Sequence, residues 1–344
     1  MEKRNFRDWN FNIFRSESSD SIQIIIFHGI CEHSYRYIPF IRSLNKAGFD
    51  CTLIDHPGHG QNILRDPFDD TFFNFYSSLE HDLSSCMEKL NNFPHISREK
   101  EFQKRFTCTN KNLLLEQIIS FQEEFTSFLF NEKIFSRNKP TFLLGQSMGG
   151  LIAATLGEKL KDTSGVILLS PALKASAKPI TNSSTSESIR HKIENKVISK
   201  SDESFEKNSF FKTFVLSPLL TLNPVNDCSW AANYISDIPE INEVFSKDPF
   251  IGRKLSLKFL QSIQQQMKRQ REQIQQYPIP VFIEYGAEDK IVNPEGSQDF
   301  IRKRLSNKGH FFKELGNYEP HEIHNSKRRS YLVNDIKEWT QELS

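Results

Sequence analysis

One serine stands between glycines at a point where the chain is patterned to turn sharply. Residues 142–150 have the sequence FLLGQSMGG, which places Ser147 at the centre of a G-x-S-x-G pattern. A buried apolar run precedes the serine and an amphipathic run follows it, the strand, turn and helix context of a nucleophilic serine. Gly145 and Gly149 would let strand and helix approach closely. The alternative is a glycine-rich turn that only closes a strand-to-helix crossover.

Two backbone amides could stabilise the negative charge that develops when such a serine attacks a carbonyl. The amide of Met148 would lie at the start of the following helix, where unpaired N–H groups favour an anion. A second donor is expected in the loop after an earlier strand. The run IIIFHGICEHSYRY (24–37) supplies that loop, and the amide of Ile30 is the candidate. We expect His28, in the same loop, to have a structural role.

A serine hydroxyl also needs a general base that a carboxylate orients. For this kind of turn the chain order is serine, acid, histidine. Asp289 follows a late apolar run within VFIEYGAEDKIV (281–292), and Glu288 is the second candidate. An ordinary solvated acidic turn is the alternative to a catalytic acid there.

Three histidines follow the acidic loop. His310 opens the run that is predicted to be the last strand, so it would lie at the wrong end of that strand. His321 comes after the strand, at the edge where Ser147 and Asp289 are expected, and is the predicted base. His324 lies one helical turn further and is more typical of a pocket wall.

Other chemistries find little support in the sequence. His56 and His59 in DHPGHG could suggest a metal, but no third ligand clusters with them, and the glycines and proline favour a structural turn. Phosphate-binding and dinucleotide-binding glycine motifs are lacking, so nucleotide chemistry is not expected. The predicted reaction needs no cofactor and no metal.

The elements around these residues predict an α/β fold. Short, almost continuously apolar runs are typical of strands buried on both faces, as in a parallel sheet. They occupy residues 22–29, 49–60, 141–147, 165–171 and 280–289. Helical patterns at 37–47 and 149–160 alternate with them. The prediction is a mostly parallel sheet covered by helices on both faces.

Two intervals are too long for simple crossovers. The first, 61–140, contains a predicted helix at 113–130, preceded by a charged segment, 91–112, that we expect to be a surface excursion. The second, 172–279, is predicted to be an inserted helical cap, with an apolar part at 210–224 and a long helix at 253–276. The predicted domains are therefore core residues 1–171, cap residues 172–279 and core residues 280–344.

The composition of the chain limits the classes of partner that we expect. The chain has 344 residues and a formal net charge of +1, so no overall field favours nucleic acid. Its five cysteines are scattered, which favours reduced thiols and a cytoplasmic location. We find neither the apolar core of a signal peptide nor a run long enough to span a bilayer. Thirty phenylalanines suit a large core and a pocket for an apolar ligand.

Five motifs together resemble the monoacylglycerol lipase and lysophospholipase group of α/β-hydrolases, which is also grouped with serine aminopeptidases. They are HGICEHSYRY (28–37), DHPGHG (55–60), GQSMGG (145–150), GAEDKIVNPEGS (286–297) and PHEIHN (320–325). The resemblance covers almost the whole chain. It implies an α/β-hydrolase fold and a triad of Ser147, Asp289 and His321, with the amides of Ile30 and Met148 as oxyanion donors.

The resemblance also implies a polar pocket for a glycerol head group. Glu32, Arg36 and His324 occupy the matching positions, although Glu32 and Arg36 could equally form an ion pair that shapes their loop. Cys31 and Tyr35 stand where relatives usually have small residues, which affects substrate choice and leaves the triad unchanged.

The expected function is hydrolysis of a single-chain lipid ester, such as a monoacylglycerol or a lysophospholipid, through an acyl-enzyme. An aminopeptidase or acyltransferase with the same triad is one alternative, and a non-catalytic lipid-binding homologue is another. The expected partner is a small-molecule lipid ester. Transient contact with a membrane surface and the oligomeric state are left open.

Overall fold

A computed structural model describes residues 1–63, 70–79, 99–176, 225–227, 229–305, 309–318 and 320–343. The apolar part of the predicted cap at 210–224 and nearly all of the polar tract before it lie outside the described residues. So does the beginning of the charged segment, up to residue 98.

Ten strands are described. In chain order they are β1 (Glu2–Phe6), β2 (Trp9–Phe14), β3 (Ile22–Phe27), β4 (Phe49–Leu53), β5 (Thr141–Gln146), β6 (Gly165–Leu169), β7 (Val225–Asp227), β8 (Lys254–Ser256), β9 (Val281–Gly286) and β10 (Phe311–Leu315). Eight form one sheet in the order β1-β2-β4-β3-β5-β6-β9-β10, and β7 pairs with β8 separately. From β4 to β10 every neighbouring pair in the large sheet is parallel. The mostly parallel sheet predicted from the apolar runs is thereby confirmed.

Nine α-helices are described among these residues. They are α1 (Ile38–Lys46), α2 (Asp70–Ser78), α3 (Glu99–Asn110), α4 (Leu115–Asn131), α5 (Met148–Leu156), α6 (Pro239–Lys247), α7 (Leu257–Glu272), α8 (Glu295–Arg304) and α9 (Arg329–Glu342). Three of them, α1, α4 and α5, match the predicted helices at 37–47, 113–130 and 149–160. The predicted helix at 253–276 is shorter than expected, because its first residues form β8.

The N-terminal hairpin of β1 and β2 was not predicted. It joins the sheet antiparallel to β4, and its aromatic side chains pack against α4. The ring centres of Phe6 and Phe121 are 5.4 Å apart, and those of Phe11 and Phe125 are 5.0 Å apart, both edge to face. Such pairs add about 0.5–1.5 kcal/mol each beyond the area that they bury. The alternation of polar and apolar residues in NFNIF (10–14) could have indicated strand β2.

Charged residues 99–110 are not the surface excursion that the sequence predicted. They form α3, in which Phe102 and Phe106 are fully buried one turn apart. Phe102 packs edge to face on Phe250 at 5.3 Å. An added Cβ on Gly252 would overlap the ring of Phe106, so this glycine is needed for close packing. The many charges around the two phenylalanines masked a narrow apolar stripe in the sequence.

Candidate active site

Ser147 connects β5 to α5 in a strained backbone conformation. Its φ of 55° and ψ of −118° lie in a region that non-glycine residues rarely adopt. Two hydrogen bonds join this turn to the C-terminal end of the neighbouring strand β6 and the residues just after it. The Ser147 amide donates to the Leu169 carbonyl at 3.0 Å, and the Ser147 carbonyl accepts from the Ala172 amide at 2.8 Å. Strain of this kind persists only where surrounding contacts determine it, and it concentrates at functional sites.

The glycines around Ser147 are required by the packing of the turn. A Cβ on Gly145 would overlap the backbone of Gly149, and a Cβ on Gly149 would overlap the carbonyls of Phe27 and His28. The turn therefore lies against the end of β3 and the beginning of the loop that follows it. The close approach of strand and helix was predicted from the G-x-S-x-G spacing, whereas the contact with the end of β3 was not.

His321 and Asp289 form a buried hydrogen-bonded pair. His321 Nδ1 lies 2.6 Å from Asp289 Oδ2. The other carboxylate oxygen, Oδ1, accepts hydrogen bonds from the amides of Ile291 at 2.8 Å and Val292 at 3.1 Å. With Asp289 as its acceptor, Nδ1 carries the proton, so Nε2 of the neutral ring is free to accept one. Nε2 is buried and has no hydrogen-bond partner among the described residues.

Electrostatics favour the protonated form of His321. Burial alone lowers the pKa of this histidine, but the charge of Asp289 and the hydrogen bond to it outweigh burial, and the net shift is upward. The charges of Glu322 and Glu32 act in the same direction. An imidazolium formed during a reaction would thus be stabilised in place.

The parallel sheet brings the three predicted triad positions to one edge. Ser147 follows β5, Asp289 follows β9 and His321 follows β10, all of which run in the same direction. Carboxyl ends of parallel strands in open α/β sheets form the usual crevice for ligands. The backbone amide of His321 is itself fixed by the Tyr234 carbonyl at 2.9 Å.

The other candidates for the catalytic acid and base make contacts that do not join them to the Asp289–His321 pair. Glu288 has an exposed side chain, 3.9 Å from Lys290. His310 stands before β10, where its Nδ1 accepts from the Val281 amide at 3.1 Å. His324 is fully buried and stacked on the ring of Tyr37, with ring centres 4.5 Å apart.

The predicted oxyanion amides belong to the first turn of α5 and to the loop that follows β3. Met148 is the first residue of α5, so its N–H belongs to the first turn, which lacks intrahelical acceptors. Ile30 lies three residues beyond β3, whose last residue pairs with Gly145 of β5. The next residue, Cys31, has a positive φ of 69°, and its carbonyl accepts from the Gly252 amide at 2.7 Å. The loop is thus held against the segment before β8.

A second contact holds the same loop. His33 Nε2 lies 2.8 Å from Asp248 Oδ2, and the Tyr76 hydroxyl donates to the same oxygen. All three side chains are buried. Asp248 was not singled out in the sequence, where it lies in the run KDPF (247–250).

His28, His56 and His59 form a buried cluster of neutral rings. His28 Nε2 accepts from the His56 amide at 2.9 Å, and its Nδ1 contacts the Gly29 carbonyl at 2.7 Å. Burial lowers the pKa of His28 well below its usual value, that of His56 to about 3 and that of His59 to about 4. Within the described ranges, no group of three or more metal-ligating side chains is arranged to hold an ion. These contacts agree with the structural roles expected for the three histidines.

Glu32 and Arg36 are an ion pair with a third member that the sequence did not suggest. Arg36 Nη1 lies 2.7 Å from Glu32 Oε2 and 2.7 Å from Glu322 Oε1. Glu322 directly follows His321 within PHEIHN, and that motif gave no indication of a contact with Arg36. The ion pair, left open as an alternative by the sequence, is present in the fold.

Comparison with known proteins decides the family. The chain matches the family described as serine aminopeptidase, S33, over residues 19–96 and 113–327. The protein belongs to this family of hydrolases. Its fold is that of the α/β-hydrolases, as the five motifs predicted. No curated protein sequence matches the chain.

Solved structures with similar folds are distant in sequence. Monoacylglycerol lipase from Paleococcus ferrophilus superposes with a TM-score of 0.62 at 20% identity, covering 100% of both chains. A soluble variant of monoglyceride lipase from Saccharomyces cerevisiae gives 0.67 at 17% identity, covering 100% of this chain and 95% of that one. A carboxyl esterase from Bacillus coagulans gives 0.59 at 18%, covering 99% and 98%. At these identities the likeness shows the shared fold.

None of the helices described is long and apolar enough to cross a membrane.

Proposed function

We propose that this protein is a serine ester hydrolase whose substrates are single-chain lipid esters, such as monoacylglycerols or lysophospholipids. The buried Asp289–His321 pair, at the same sheet edge as the strained Ser147 turn, carries the proposal. Of the solved structures with this fold, one is a monoacylglycerol lipase and one a monoglyceride lipase by name, which supports the choice of substrate class.

The reaction follows from the orientation of the histidine. Asp289 holds Nδ1–H, so Nε2 of His321 accepts the proton of the Ser147 hydroxyl as its oxygen attacks the ester carbonyl. The amides of Met148 and Ile30 donate to the oxyanion that forms. The protonated His321 then gives its proton to the leaving alcohol, and the ester bond breaks to leave an acyl-serine. Water, deprotonated by His321, attacks the acyl group, and the fatty acid leaves as the serine regains its proton.

The remaining predictions concern specificity. The insertion at 172–279 is proposed as the cap that selects the acyl chain, and Glu32, Arg36 and His324 were predicted to meet the head group. An aminopeptidase is the second candidate, because the matched family carries that description. An acyltransferase would use an alcohol in place of water, and a non-catalytic homologue would bind lipid without turnover.

Labelling with a fluorophosphonate probe tests the nucleophile. Wild type is expected to label, and Ser147→Ala should lose both labelling and hydrolysis, because loss of a triad serine costs on the order of a millionfold in turnover. Ser127→Ala is the matched control, since Ser127 is exposed on α4 and bonds only within its helix in the contacts described. Undiminished labelling of Ser147→Ala would exclude this nucleophile.

A substrate series separates the candidate activities. Glyceryl and p-nitrophenyl esters with chains from acetyl to long acyl, together with aminoacyl arylamides, would be compared on one preparation. Faster turnover of long-chain esters is expected from a lipid hydrolase. A strong preference for acetyl esters would exclude the lipid substrate, and preferential cleavage of arylamides would favour the aminopeptidase.

A further inference from the structure

The guanidinium of Arg36 lies between two carboxylates that come from different loops. Nη1 is 2.7 Å from Glu32 Oε2 and 2.7 Å from Glu322 Oε1, while Nη2 is 2.8 Å from Glu322 Oε2. The contact with Glu322 is therefore bidentate, the strongest and most directional form of such a pair. Arg36 is 3% exposed, and both glutamates are 2% exposed.

The Glu32 end of this cluster controls the loop that follows β3. Glu32 Oε1 accepts a hydrogen bond from the Gly29 amide at 2.5 Å and another from the Tyr37 hydroxyl at 2.8 Å. Gly29 directly precedes Ile30, the proposed oxyanion donor. Any shift of the Glu32 carboxylate would therefore be transmitted to the peptide that carries the donor.

The Glu322 end controls the loop that carries the histidine. Glu322 directly follows His321, and its amide donates to the Ile235 carbonyl at 2.8 Å. Glu322 Oε2 also accepts from Asn325 Nδ2 at 2.8 Å. With both its backbone and its carboxylate fixed, Glu322 limits the orientations open to the neighbouring imidazole.

Little of Arg36 is left for a head group to contact. Both N–H bonds of Nη1 are directed at carboxylates, and the guanidinium lies 4.6 Å from the ring centre of Phe245. A ligand would have to break buried charge pairs, and breaking one such pair costs about 3–5 kcal/mol.

We infer that Arg36 and Glu322 are positioning residues, which lock the oxyanion loop and the histidine loop to each other across the active-site edge. This inference rests on the proposed hydrolase function and replaces head-group binding as the role of Arg36. Arg36 joins Gly29, through Glu32, to the residue that follows His321. The proposed donor amide and the proposed base thus keep one relative position through a single buried guanidinium.

The charge of the cluster supports the same role. Two carboxylates surround one guanidinium, and Glu322 and Glu32 both raise the pKa of His321, as Asp289 does. Besides these three, the charged and titratable groups that interact with this cluster among the described residues are Arg36, Tyr37, Tyr76, His324 and Arg329. Burial lowers the pKa of His324 to about 3, so it stays neutral there. Removing the Glu322 charge should lower the pKa of His321.

Steady-state kinetics of Arg36→Lys and Glu322→Gln test the inference with two substrates of equal acyl chain, a glyceryl ester and a p-nitrophenyl ester. Misplacement of a reacting group can cost up to about a hundredfold, so kcat should fall at least about tenfold with both substrates while KM changes little. Glu322→Gln should also move the acid limb of kcat/KM to lower pH. Arg269→Lys and Glu116→Gln are the matched controls, because that pair is exposed on α7 and α4.

Two outcomes would overturn the positioning role. A rise in KM restricted to the glyceryl ester, with kcat unchanged, would assign Arg36 to the head group. Unchanged kinetics in both variants would show that the cluster neither positions the two loops nor binds the head group. If Glu322→Gln does not fold, Glu32→Ala carries the test, because it removes the acceptor of the Gly29 amide and keeps both partners of the Arg36–Glu322 contact.

A titration without substrate separates this inference from the proposed function. Histidine labelled with ¹³C at Cε1 would be followed by NMR in wild type and Glu322→Gln, with the His321 signal assigned from His321→Gln. The pKa of His321 should be lower in Glu322→Gln. If wild type hydrolyses no ester and yet this shift occurs, the proposed function fails and the link between the two loops stands. An identical pKa in both proteins would contradict the link.

Discussion

Asp289 holds the imidazole of His321 by a 2.6 Å contact from Oδ2 to Nδ1, while its own Oδ1 is fixed by two backbone amides. The carboxylate therefore cannot rotate without losing hydrogen bonds, and the histidine takes its tautomer from it. Every step proposed for Ser147 depends on this one relationship, because Nε2 must be unprotonated to act as a base.

Asp289→Asn should leave the fold intact and lower kcat by about 10⁴-fold, because an amide in place of the carboxylate favours the wrong tautomer of His321. Hydrolysis of a p-nitrophenyl ester measures the loss. Glu288→Gln is the control, since the Glu288 side chain is exposed, and it should keep nearly full activity. Equal losses in the two variants would reassign the acid.

Gly149→Ala should destabilise the protein by about 3 kcal/mol, the upper end of the usual cost of overpacking, because the added methyl would overlap the carbonyls of Phe27 and His28 and force the turn apart. Gly316→Ala provides a matched control, as a Cβ there meets nothing within 4 Å. Urea unfolding followed by circular dichroism compares them. Equal free energies of unfolding would mean that the turn can relax around the methyl.

Phe106→Ala should lower the free energy of unfolding by about 3–5 kcal/mol, because the ring is fully buried between α3 and the segment around Gly252. Phe312, on β10, is 60% exposed, and Phe312→Ala should change stability little. Thermal and urea unfolding measure both variants. If Phe106→Ala were as stable as wild type, α3 would not be part of the core.

Buried His56, His59 and His324 should each reduce stability as the pH drops below about 6.5, because their pKa values near 3, 4 and 3 keep them neutral in the fold. The unfolded chain takes up these protons near the ordinary pKa of histidine, so it binds more protons than the folded state in this window. Each histidine contributes a slope of about 1.4 kcal/mol per pH unit, which disappears below its folded pKa.

The variant His56→Gln tests the contribution of a single histidine to this pH dependence. Urea unfolding between pH 5 and pH 8 should show a shallower loss of stability below pH 6.5 in the variant than in wild type, because the unfolded variant binds one proton fewer. Parallel curves for the two proteins would mean that His56 is protonated in the folded state.

Much of the fold was predictable because its signals are local. An apolar run followed by a turn residue marks a strand buried on both faces, and five such runs correctly predicted β3, β4, β5, β6 and β9. Helix α3 and the hairpin of β1 and β2 escaped prediction. Their apolar residues are few, and their burial depends on α4 and on the segment around Phe250, far along the chain.

By itself, the sequence determined the turn at Ser147, the acidic loop at Asp289 and the histidine loop at His321, together with their order along the chain. A parallel sheet then has to place the three loops at one edge, because its strands share a direction. Only the tertiary structure decided what surrounds them. Arg36 and Glu322 are 286 positions apart, and the side chains that meet over such distances are selected by the packing of whole elements, which leaves no pattern in the local sequence.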